Sequence, residues 1–162
     1  MTDPTMFDFD KRFEYFKKHL ENIKQLPFLS YSQMLANSKF GLYLVFRQSE
    51  LIYIGKTNRE GKKRIREMGS DFRSHTLNKK LLAEELNLYF DDIDQRIAIN
   101  NKSKKHFIET GKLSEKQFSE IQIKVQSIVR QQLHFKFYDF SEKNLSGMEC
   151  FLIGFLSPTY NN

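Results

Sequence analysis

Two short apolar runs, Gly41–Phe46 (GLYLVF) and Leu51–Gly55 (LIYIG), constrain this chain more than any other feature. Both are rich in β-branched, aromatic and large aliphatic residues, and only the polar Arg47–Glu50 separates them. That pattern predicts an antiparallel hairpin. Leu42, Leu44 and Phe46 share one face of the first strand, and Ile52 and Ile54 share one face of the second. Laying these faces together pairs Leu44 with Ile52 and Leu42 with Ile54. It also sets Tyr43 opposite Tyr53 on the other face, with Gly41 and Gly55 leaving their surroundings open. Taken alone, two strand tyrosines read as aromatics packed against a helix.

The remaining elements are mostly helical. Phe13, Phe16, Leu20 and Ile23 fall on one face of a helix over Asp8–Lys24, which should stop before Pro27. Ser32–Asn37 reads as a short helical turn. Gly61–Met68 is a basic helix with Ile65 and Met68 turned inward. Asn78–Tyr89 is a helix with Leu81, Leu82, Leu86 and Leu88 as its apolar positions. Asn100–Lys105 reads as a polar loop. Ser114–Leu133 fits a helix with a Ser114–Gln117 capping box, although Ile121, Ile123 and Val125 also alternate like a strand. His134–Phe140 is a third strand, and Asn144–Leu156 a final helix closed by Pro158. The expected architecture is α+β: a small three-stranded antiparallel sheet flanked by helices.

At 162 residues and 19.4 kDa, the chain suits one domain. Its single cysteine, Cys150, allows neither an internal disulfide nor a cysteine-rich zinc module. The start has acids near the front and no apolar core, unlike a signal peptide. No apolar run approaches the ~20 residues of a membrane span, so a cytoplasmic location is the expectation. Charge is unevenly spread. Residues 56–80 hold nine bases (Lys56, Arg59, Lys62, Lys63, Arg64, Arg66, Arg73, Lys79, Lys80) against three acids, which accounts for the whole net charge of +6. A concentrated basic stripe suits either a polyanion partner or a solvated helix face.

The last helix contains an anomaly. Met148–Leu156 (MECFLIGFL) is apolar except for Glu149 and Gly154. A carboxylate there must be paired, exposed at a helix edge, or bound to a cation. A structural ion pair and a metal ligand both satisfy that requirement.

The order of these features is informative. GLY (41–43) and YIG (53–55) are followed by Lys56, by Arg64 after a Lys-Lys pair, by Glu149 on an apolar helix, and by Pro158 and Asn161. This arrangement resembles the GIY-YIG nuclease superfamily over about residues 41–66 and 134–161. Residues 1–38 then form a helical N-terminal extension, and 69–132 a helical insertion before the third strand. Leucine replaces the usual isoleucine or valine of the first tripeptide, and Arg64 stands one residue later than is common. Some members carry a histidine one turn after that arginine. Met68 occupies that place here, and His75 is the nearest histidine, without an assigned role.

The resemblance implies a metal-dependent endonuclease that hydrolyses phosphodiester bonds, with double-stranded DNA as the expected partner. Glu149 would hold Mg²⁺ (or Mn²⁺), and Arg64 would fork onto the phosphate. A tyrosine would act as general base, helped by the charge of Lys56 and Arg64. Tyr43 is the first choice and Tyr53 its hydrogen-bonding neighbour, with the reverse left open. Asn161 would brace the site, and Lys62, Lys63, Arg66, Arg73, Lys79 and Lys80 would bind nucleic acid. The size suits a compact restriction-type or mobile-element nuclease. One site acting on both strands would call for a dimer by symmetry. The other reading is a non-catalytic DNA- or RNA-binding module on the same fold, although a binder has no need of a carboxylate beside a polyanion.

Overall fold

The computed structural model describes residues 8–87, 99–141 and 143–161. Three antiparallel strands, β1 (Gly41–Arg47), β2 (Glu50–Thr57) and β3 (Leu133–Asp139), form a sheet in the order β2-β1-β3. Helices cover both faces. Leu42, Leu44 and Ile54 pack with Leu20 and Ile23 of α1 (Phe9–Gln25) and with Met148 and Leu152 of α7 (Leu145–Leu156). On the opposite face Tyr43, Val45, Tyr53 and Phe135 meet α2 (Tyr31–Met34), α3 (Gly61–Met68), α4 (Thr76–Asn87) and α6 (Glu115–Gln131).

The α+β architecture is as the sequence predicts, and so is the separation of the two faces except at Ile52, but the hairpin register is not. Tyr43 lies opposite Gly55, Leu44 opposite Ile54, and Val45 opposite Tyr53. A bulge beside Val45 and Phe46 leaves Ile52 without a partner in the ladder. Ile52 turns instead to the tyrosine face and joins the core there. The pairing is therefore displaced by two residues from the expected one. Such a slip preserves which side chains share a face, so Tyr43 and Tyr53 become diagonal neighbours.

The glycines do not hold space open. A Cβ on Gly55 would lie 2.3 Å from the Tyr43 ring, and one on Gly41 2.0 Å from the Tyr138 carbonyl oxygen. Gly55 is needed because the Tyr43 ring lies across it.

Both sheet edges are partly covered, which shortens the template each offers for unwanted strand pairing. Leu29 and Phe135 exchange backbone hydrogen bonds at 2.7 and 2.9 Å on the β3 side. On the β2 side the C-terminal tail docks: the Tyr160 N–H donates to the Ile52 carbonyl at 2.8 Å, and Asn161 binds Ile54.

The helices depart from expectation in detail. Asn100–Lys105 is not a loop: Asn100 caps the first turn of α5 (Asn101–Glu109) through Lys102 N–H and Ser103 N–H. α6 is a helix with the Ser114–Gln117 capping box, and Ile123 is exposed on its outer face. Phe13 was expected on the buried face of α1 and is 44% exposed instead. Leu88 and Tyr89 of the expected α4 lie outside the described residues.

The 69–132 stretch is tied to α3 through backbone carbonyls. Asn78 Nδ2 donates to Met68 and Ser70, Gln126 to Ser70, and the Arg130 guanidinium to Gly69 at 2.7 and 3.1 Å. These carbonyls lie at the C-terminal end of α3, where helical acceptors lack intrahelical partners.

Candidate active site

The site forms where the hairpin, α3 and α7 converge. The Tyr43 and Tyr53 rings stack with centroids 6.2 Å apart and planes inclined by 29°. Arg64, on α3, donates from Nε to the Tyr43 hydroxyl at 3.2 Å and from a terminal nitrogen to Glu67 at 3.0 Å. Its helix is fixed by Ile65 and Met68, both fully buried as expected. Lys56, at the end of β2, reaches across to α7. Its ammonium lies 2.9 Å from the Glu149 carboxylate and donates to the Ser146 hydroxyl at 2.9 Å. The ion-pair reading of Glu149 therefore holds, with Lys56 as its partner.

A cleft of about 350 Å³ opens beside these groups, lined by Lys56, Asn58, Arg59, Arg64 and Ser146 among others. Arg59 is a cleft-lining cation not singled out from sequence. It pairs with Glu67 at 2.9 Å, so Glu67 holds Arg59 and Arg64 together.

Environment separates the tyrosines. Tyr43 is 1% exposed and Tyr53 9%. Burial pushes the Tyr43 phenol far above its ordinary value of 10; the neighbouring Tyr53 adds to the rise, and Arg64 opposes it. Burial also raises Tyr53, with Arg64 opposing, Glu149 adding to the rise, and a hydrogen bond with Tyr43 lowering it. The first-choice base, Tyr43, is thus the more enclosed of the two.

His75 is the residue that sequence reasoning left without a role. It is 2% exposed and lies just after a 3-10 turn, Phe72–Ser74. Its Nε2 is 2.9 Å from the Tyr43 hydroxyl, and its Nδ1 accepts from the Leu77 N–H at 3.1 Å. Burial, then the positive charge of Arg64, lowers its pKa to about 3, so the ring is neutral. No local signal marks it: Ser74-His75-Thr76 reads as a polar connector.

Asn161 clamps β2 with two hydrogen bonds of 2.7 Å to the Ile54 N–H and carbonyl. The expected nucleic-acid residues divide. Lys80 is a correction: it is buried and donates to the Tyr160 carbonyl at 2.6 Å, and burial lowers its pKa. Lys62 and Lys63 both pair with Glu60, and Arg73 pairs with Asp71. Arg66 is exposed and Lys79 half-buried.

Among the described residues no three His, Cys, Asp or Glu side chains gather into a metal cage. Glu149 nevertheless already accepts a cationic group, the Lys56 ammonium, beside a hydroxyl and an open cleft. A hard carboxylate in that setting fits Mg²⁺, which commonly binds through one or two carboxylates and completes its shell with phosphate oxygens and water. No helix among the described residues is long and apolar enough to cross a membrane. No family model, curated protein or solved structure significantly matches the chain.

Proposed function

We propose that this protein is a metal-dependent endonuclease that hydrolyses phosphodiester bonds of DNA. The reading rests on one observation: Tyr43, Tyr53, Lys56, Arg64 and Glu149 come from the hairpin, α3 and α7 and meet beside a single cleft. Phosphodiester hydrolysis needs a proton acceptor for water, neutral balance for the phosphate, and stabilisation of the leaving oxygen. A phenol of the tyrosine pair takes the proton. Arg64 keeps one terminal nitrogen free of protein partners among the described residues, and it lines the cleft where a phosphate oxygen would sit. Arg59 and Lys56 add positive charge along the same wall. Glu149, with Ser146 beside it, would hold a divalent cation, which when bound supplies Lewis-acid stabilisation of the phosphate and leaving oxygen.

The buried Tyr43 hydroxyl and the Lys56–Glu149 pair also suit a non-catalytic nucleic-acid-binding module on the same fold. Incubating plasmid and short duplexes with the protein while titrating Mg²⁺ or Mn²⁺ separates the two. The nuclease reading expects cation-dependent cleavage that Glu149→Ala abolishes while leaving DNA binding intact or tighter. Binding without cleavage at any cation concentration supports the module instead, and cleavage by Glu149→Ala at the wild-type rate overturns the metal assignment.

A further inference from the structure

We propose that Arg59 is a second phosphate-contacting residue of the cleft, and that Glu67 is a positioning residue that sets its guanidinium beside that of Arg64 so that the two grip one phosphate together. The proposal rests on the nuclease reading above.

The geometry begins with the turn between β2 and α3. Thr57, buried at the end of β2, fixes the Arg59 backbone from both sides. Its hydroxyl accepts from the Arg59 N–H at 3.1 Å and donates to the Arg59 carbonyl at 2.9 Å. On α3, Glu67 stands three residues after Arg64 and so on the same helix face. One Glu67 oxygen accepts from Arg64 at 3.0 Å and from Arg59 at 2.9 Å. Two positive groups are thereby held with their terminal nitrogens less than about 6 Å apart. The shared carboxylate offsets a repulsion that would otherwise drive the more exposed of them, Arg59, into solvent. Ion pairs at this exposure contribute little to stability. What the arrangement fixes is the placement of two guanidiniums.

Both arginines line the cleft, and Glu67 does not. An anion entering the cleft therefore meets the guanidiniums, with the acid set back from it. Arg64 keeps a terminal nitrogen without a partner among the described residues, and Arg59 keeps Nε and a terminal nitrogen. A guanidinium forks onto phosphate oxygens as it does onto a carboxylate. The Glu67 carboxylate shows that these two are close enough to serve a single anion. Arg64 is also tied to the Tyr43 hydroxyl at 3.2 Å, so the phosphate gripped by the pair is the one beside the tyrosines, where the bond is cut. As negative charge builds on that phosphate, two guanidiniums already in place stabilise it more than one can.

Arg59→Ala, Arg59→Lys, Glu67→Ala and the double variant Arg59→Ala with Glu67→Ala test this in the full-length protein. Each is measured for single-turnover cleavage of a labelled duplex in Mg²⁺ and for duplex affinity. Arg59→Ala should bind less tightly and cut on the order of 10²-fold more slowly. Arg59→Lys should recover affinity but little of the rate, because lysine keeps the charge and loses the fork. Glu67→Ala should bind as tightly as wild type or more tightly, because an acid is gone, and still cut slowly. The double variant should cut at about the rate of Arg59→Ala, because Glu67 acts through Arg59. Full cleavage by Arg59→Lys overturns the fork. Wild-type cleavage by Glu67→Ala, or losses that add in the double variant, overturn the role of Glu67. A second readout needs no cleavage: ¹⁵N NMR of the arginine side chains while inorganic phosphate is titrated in. Arg59 and Arg64 should shift with one midpoint in wild type, and Arg64 alone in Glu67→Ala. A shift of Arg64 alone in wild type, or two separate midpoints, overturns the shared grip. A wild-type protein that cuts nothing at any cation concentration, while both arginines shift together, sinks the nuclease reading and supports the phosphate grip, so the two failures are distinguishable.

Discussion

Asn161 binds Ile54 through both of its amide atoms: Oδ1 accepts from the Ile54 N–H and Nδ2 donates to the Ile54 carbonyl, each at 2.7 Å. A side chain near the C-terminus thereby imitates one rung of a neighbouring strand. It holds the stretch of β2 that carries Tyr53 and Gly55. Asn161→Ala leaves both backbone groups without this partner and should cost about 1–3 kcal/mol. Urea denaturation measures the loss. Asn161→Asp keeps the acceptor but removes the donor, and should fall between alanine and wild type at neutral pH. Wild-type stability in the alanine variant would show that the tail only rests on the sheet.

His75 makes stability depend on acid. Its pKa falls from 6.5 to about 3 on folding, with burial as the leading cause. The unfolded chain therefore binds a proton that the folded chain refuses. The stability this represents is fully present above pH 6.5 and is lost as pH falls toward 3. The slope is about 1.4 kcal/mol per pH unit inside that window. Comparing urea midpoints of wild type and His75→Gln across it cancels the carboxylates common to both. Wild type should lose stability faster on acidification, and parallel curves would contradict the burial of a neutral ring.

Lys79 and Lys80 are adjacent in sequence and opposite in consequence. Lys80 is buried against the Tyr160 carbonyl, so Lys80→Ala should destabilise the docked tail and leave the salt dependence of DNA binding nearly unchanged. Lys79 is only half-buried. If it contacts phosphate, Lys79→Ala should flatten the log–log salt slope by about 0.9. Fluorescence anisotropy over a salt series reads both variants, and a flattened slope in Lys80→Ala would contradict the burial.

Gly55→Ala is a test of packing at the site. The added Cβ would meet the Tyr43 ring at 2.3 Å, and that ring has no open space to enter. Overpacking of this kind costs about 1–3 kcal/mol. Pushing Tyr43 away should also weaken its bonds to His75 and Arg64. Near-ultraviolet circular dichroism, which reports the tyrosine environment, should change more than the far-ultraviolet signal.

The hairpin illustrates what periodicity can and cannot specify. Alternation placed Leu42, Leu44 and Ile54 on one face and the tyrosines on the other, because a strand repeats every two residues. A slip of two residues leaves those faces intact, so alternation alone could not choose between the expected register and the one found. The bulge decided it by turning Ile52 into the other core. Arg64 was legible only through the resemblance, which expects an arginine after the Lys-Lys pair and before Ile65; by itself it reads as one more surface arginine of a basic helix. Glu149 was legible because it interrupts an apolar run. His75 and Lys80 were not, for a shared reason. Each is polar in a polar stretch, and only tertiary packing buries them, His75 against the Tyr43 and Tyr53 rings and Lys80 against the Tyr160 carbonyl.

The carbonyls of Met68, Gly69 and Ser70 are held by Asn78, Gln126 and Arg130. This grip makes α4 and α6 part of the mounting of Arg64 and His75, not an appendage that can be exchanged freely. A chimera that replaced the stretch between α3 and β3 with a foreign module would break the mounting unless it carried matching donors. Grafts should tolerate cuts around α5 far better than cuts inside 68–78 or in the second half of α6. The boundary that sequence resemblance draws after α3 is therefore not a seam along which the protein can be taken apart.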